Sequence, residues 1–143
     1  MSVCSEVVVY ARVLANRSAS DVADVAAAAL DEIDSEGTSG GAWLARRFCE
    51  ALVDDADRHV MAGTKGSVLL WGGVWAALTD DDRAVLDDAV RGLLPIAALG
   101  AQRRVLRDVR LSISVEESGR SEHFGFTVEG QTPAVRYLGS TLI

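Results

Sequence analysis

Acid–base and nucleophilic chemistry in this chain would have to come from few side chains. There are two histidines, His59 and His123, and two cysteines, Cys4 and Cys49. A nucleophile needs a base within hydrogen-bond reach, and the base needs a group to orient it. Asp55 precedes His59 by one helical turn and could hold it. Cys49 is too far away: ten residues of helix separate it from His59, about 15 Å. His123 falls on the polar side of an alternating segment and is expected to be a solvated surface side chain. Gly37-Thr38-Ser39-Gly40-Gly41 has the letters Gly-x-Ser-x-Gly, but it is expected to be a turn between two helices and not the strand-to-helix elbow of hydrolases. No catalytic residue is assigned, and the expectation leans away from an enzyme.

Metal and cofactor chemistry fare no better. Asp54, Asp55, Asp57 and His59 cluster in sequence, but 100° helical steps scatter them over two faces, so no metal site is assigned. Asp80, Asp81 and Asp82 suit the positive end of a helix dipole. Gly63-Thr64-Lys65-Gly66-Ser67 holds the residue types of a phosphate loop in the wrong order and is expected to be a turn between helices. No cofactor is implied.

Two clusters remain. Arg103, Arg104, Arg107 and Arg110 crowd a predicted helix end and the start of a predicted hairpin, with Arg103 and Arg107 four apart. They are the candidate contact for nucleic acid or a protein partner. Residues 101–143 carry six arginines and five acids, whereas residues 1–100 carry eight basic and sixteen acidic groups. Helix, helix, then hairpin resembles the order of a winged helix, which implies a DNA-binding regulator as the alternative function. The arginines could equally pair with Asp87 and Asp88 and stabilise a helix C-terminus. Trp43, Trp71 and Trp75 lie in or beside glycine-rich segments and are the candidate apolar interface or pocket. Such residues also serve simply as core.

The elements that would position these residues follow from periodicity. Residues 6–14 read as a β-branched strand with Val7, Val9, Ala11 and Val13 on one side. Its other side is also partly apolar, which predicts self-association across a free edge. A helix over about 20–34 has the stripe Val22, Val25, Ala26, Ala29, Leu30 and Ile33, with Ser20 as its cap. A second, over 42–61, has Leu44, Ala45, Phe48, Cys49, Leu52, Ala56 and Val60 inward. Val68 to Leu78, apolar on nearly all sides, is predicted as the central buried helix. Thr79 opens another, and Pro95 a last one to about Asp108. Alternation from Val109 to Glu129 predicts a hairpin, and Val135 to Leu138 a third strand.

The expected fold is therefore α+β in one domain, residues 1–143. An N-terminal strand and four to five helices form the core (about 20–108), followed by a C-terminal hairpin or three-stranded meander (about 109–139). With 143 residues, 49% apolar and 24% charged, the chain has ordinary globular composition. The net charge of −7 disfavours nucleic acid as partner, because it repels phosphate backbones at long range. No membrane span or secretory leader is read, so the expected location is the cytoplasm, with both thiols reduced. The preferred function is a non-catalytic protein–protein interaction module, an assembly subunit or adaptor, whose partner is another protein or a second copy of itself.

Overall fold

The computed structural model describes residues 4–35, 40–76, 90–115, 119–129 and 132–142. The elements run β1 (Cys4–Val13), α1 (Ala19–Ser35), α2 (Gly40–His59), β2 (Val60–Gly63), β3 (Gly66–Ala76), α3 (Leu94–Gln102), β4 (Leu106–Val115), β5 (Arg120–Glu129) and β6 (Thr132–Leu142). All six strands join one antiparallel sheet in the order β2-β3-β1-β4-β5-β6. The protein is thus α+β, but the sheet, not a helical bundle, is its frame. The expected four to five core helices with a terminal hairpin are replaced, among the described residues, by three helices over a six-stranded sheet.

The largest correction concerns residues 66–76. They form β3, paired with β1 from Cys4↔Ala76 to Arg12↔Val68. Val, Leu and Trp suit a pleated surface, and two adjacent glycines would cost a helix about 2 kcal/mol. In the strand Gly73 has a use, since the Trp71 ring lies where a Cβ would be, at 3.1 Å. The apolar run reflects β3's two faces: Leu69 is buried among the helices, whereas Leu70 is exposed on the opposite side.

The second correction follows from β1. It is central, flanked by β3 and β4, so it has no free edge to offer a partner. Val7, Val9, Ala11 and Val13 face the helices and are buried. The predicted stripes of α1 and α2 meet them: Val22, Val25, Ala26, Ala29 and Ile33 from one, Leu44, Ala45, Phe48, Cys49 and Leu52 from the other. The cap of α1 is Ser18 rather than Ser20. The Asp21 carboxylate accepts from the Ser18 N–H at 2.8 Å, and the Ser18 hydroxyl accepts from the Asp21 N–H at 3.4 Å. This is a capping box with Asp in the Glu position. That contact with the Ser18 N–H lowers the Asp21 pKa. The second helix stops at His59, with Asp55 already non-helical (φ −156°, ψ 72°), and Val60 begins β2. The last helix also ends early, at Gln102, and Arg107 to Asp108 belong to β4. Val90 to Gly92 are helical, as predicted, but the Thr79 start lies outside the described residues. The β4–β5 hairpin and the third strand β6 form as expected, β6 being longer.

Candidate functional site

The four arginines do not share a helix. Arg103 and Arg104 make the turn that closes α3. The Arg104 N–H donates to Ala101 O at 3.1 Å and the Val105 N–H to Gly100 O at 2.8 Å, with Arg104 left-handed at φ 56°. This is the Schellman closure, built on arginine where glycine is usual. Arg17 braces it from the β1–α1 loop, donating to the carbonyls of Arg104 at 3.1 Å and Arg103 at 3.0 Å. Arg107 and Arg110 lie on β4. Three residues apart, they would ordinarily point to opposite faces of a strand. The ladder slips between Tyr10 and Arg12, where Asp108 takes φ 54°. This bulge leaves Arg107 and Arg110 both exposed while Leu106 and Val109 both stay buried. The four arginines thus lie on a turn and a strand and not on one helix.

The bulge instead turns Arg107 toward a cleft of about 590 Å³ at one end of the sheet. Three segments far apart in sequence meet there: the end of β1 with the following loop, the β2–β3 turn, and the start of β4. They bring together Arg12, Arg17, Lys65 and Arg107, with no carboxylate among the described residues that line the cleft. Asp108 lies beside it, 3.9 Å from Arg12 and 3.8 Å from Arg107, and Asp21 is 4.0 Å from Arg17. The Gly63–Ser67 segment is therefore a strand turn, not a break between helices.

Trp71 packs on Phe48, ring centroids 5.4 Å apart, and so serves the core. The side chains of Trp43 and Trp75 lie outside the described residues. Cys49 is a free, fully buried thiol, and burial pushes its pKa up to about 12. A thiol so held is an inert apolar group, not a nucleophile.

His123 is not simply solvated. On the face away from the helices its Nδ1 lies 2.8 Å from the Ser112 hydroxyl and its Nε2 2.9 Å from the Thr141 hydroxyl. Ser114 and Ser121 pair one row along. The alternation of β4 and β5 places His123, Ser112, Ser114 and Ser121 on a polar face, but Thr141 lies beyond the expected third strand, Val135 to Leu138. A base touches a hydroxyl here, yet none of these residues lines the cleft, and both ring nitrogens are tied across strands. The row is a cross-strand ladder that fixes register. Among the described residues no three of His, Cys, Asp and Glu gather as metal ligands.

The remaining surface feature is β6. It forms the sheet edge and spans eleven residues. Seven large apolar side chains are exposed among the described residues, and four are here: Val135, Tyr137, Leu138 and Leu142. Tyr137 leans on Phe124 at 5.6 Å and donates to Glu122, a contact that raises the tyrosine pKa. No helix among the described residues is long and apolar enough to cross a membrane.

No protein-family model, curated protein or solved structure matches this chain.

Proposed function

We propose that this chain is a non-catalytic interaction module that pairs with a second copy of itself along β6. The observation that carries the reading is the concentration of exposed apolar side chains on a long sheet edge. Unpaired N–H and C=O groups there offer a ready ladder, and proteins that avoid pairing blunt such edges with lysine, several charges or short strands. Here β6 has Arg136 as its single charge and no lysine. Pro133 and the irregular register near Leu138 limit regular pairing to part of the strand. At the opposite edge β2 has four residues, and Leu70 to Ala76 of β3 lie beyond its ladder.

A second copy suits this edge because an antiparallel ladder is self-complementary about a two-fold axis. An axis passing C-terminal to Arg136 also sets the two arginines on opposite sides of it. In this reading the protein works in the cytoplasm, where Cys49 remains a thiol. Sedimentation velocity over a wide concentration range tests the proposal. The wild type is expected to dimerise, and Val135→Lys or Leu142→Lys to weaken the dimer by about tenfold or more. A wild type that stays monomeric at every concentration overturns it.

A further inference from the structure

We infer that the cleft between the β1 end, the β2–β3 turn and the start of β4 is a binding site for a small phosphate monoester. The inference does not depend on the β6 reading. Fourteen residues line the cleft; drawn at random from this chain they would include about two carboxylates and one or two cations. Among the described residues the cleft has four cations and no carboxylate, in a chain of net charge −7. A local positive field within an acidic molecule concentrates anions at that spot.

The charge also fits in amount. Asp108 and Asp21 each offset one of the four cations, which leaves two positive charges for the ligand. A phosphate monoester carries about −1.5 to −2 at neutral pH. The partners differ in kind. Arg17 is held by the carbonyls of residues 103 and 104 and contributes charge from a fixed position. Arg12 and Arg107 present guanidinium forks on neighbouring strands, Arg12 and Arg107 being opposite in the ladder. Lys65 stands on the exposed β2–β3 turn with no ion pair among the described residues. Thr64, Ser67 and Asn16 add neutral donors along the walls.

The size and the floor point to an organic body on the phosphate. About 590 Å³ lies within the range of small-molecule sites and far exceeds one phosphate. Half-buried Tyr10 also lines the cleft and offers an apolar surface beside the cations.

The test is isothermal titration calorimetry at low salt with adenosine monophosphate, ribose 5-phosphate, inorganic phosphate and adenosine. At least one of the two monoesters is expected to bind, more tightly than inorganic phosphate, with adenosine binding weakest. Lys65→Ala and Arg107→Ala, both exposed and so expected to keep the wild-type melting temperature, should each weaken that binding by about tenfold. Arg136→Ala, remote on β6, should leave it unchanged, and rising salt should weaken it. The inference falls if neither monoester binds, if inorganic phosphate binds as tightly as both, or if the Lys65 and Arg107 variants bind as the wild type does. Failure of dimerisation with retained monoester binding would sink only the β6 reading.

Discussion

Cys49 gives a prediction whose sign and size both follow from where it sits. Its thiol is fully buried between α2 and the rest of the core, and its pKa rises from 9.0 to about 12 on folding. Desolvation is the main cause, with the neighbouring Glu50 charge second. Between those two values the unfolded chain has lost the proton and the folded chain has kept it. The unfolded state then binds fewer protons, so stability falls as pH rises through this window. At pH 10.5 the difference spans about one and a half pH units, and about 1.4 kcal/mol per unit gives a loss of about 2 kcal/mol. Cys49→Ala removes this dependence but opens a small cavity, costing about 1–2 kcal/mol at neutral pH. The penalty of Cys49→Ala should therefore shrink to about zero, or reverse, by pH 10.5. Urea unfolding of both proteins at pH 7 and pH 10.5 reads it directly, because every other titrating group, Tyr137 included, is common to both. A penalty that stays constant across that range would refute the buried, neutral thiol. So would native-state alkylation of Cys49 in a Cys4→Ser background at the rate of a free thiol.

Two further predictions concern backbone geometry. Arg104 holds a left-handed conformation at the end of α3, and Arg17 contacts its carbonyl rather than its side chain. Arg104→Gly should raise stability by about 0.5–1 kcal/mol while Arg104→Ala should not, as thermal unfolding would show; equal melting temperatures would contradict the strain. At Gly100 an added Cβ would come within 2.8 Å of the Leu106 Cβ, so α3 can approach β4 only without a side chain there. Gly100→Ala should cost about 1–2 kcal/mol in spite of alanine's higher helix propensity, and a gain would mean the helix and strand separate freely.

Local patterns were readable in the sequence where one face is apolar and the other polar. The stripe of α1, the stripe of α2 and the alternation of β4 and β5 all have that character. Val68 to Ala76 misleads because β3 carries apolar groups on both sides, which removes the period that separates strand from helix. The α3–β4 junction was hidden for another reason. The chain breaks the helix at Arg104, a good helix former, without the glycine that would announce a left-handed residue. The cleft could not be read at all, since Arg12, Lys65 and Arg107 meet only through sheet order. The arginine cluster is visible in the sequence, but the bulge at Asp108, not helical spacing, gives Arg107 its direction. Exposure of β6 likewise depends on its being last in the sheet.

The claim that β6 is the pairing edge is tested most directly by amide hydrogen exchange along β6. Within an antiparallel sheet, alternate amides of an edge strand bond inward to β5 and the others face outward. The account predicts that outward amides between Ala134 and Tyr137 exchange freely in dilute protein and become protected as concentration rises, while those bonded to β5 stay protected throughout. Outward amides that exchange freely at every concentration would contradict it.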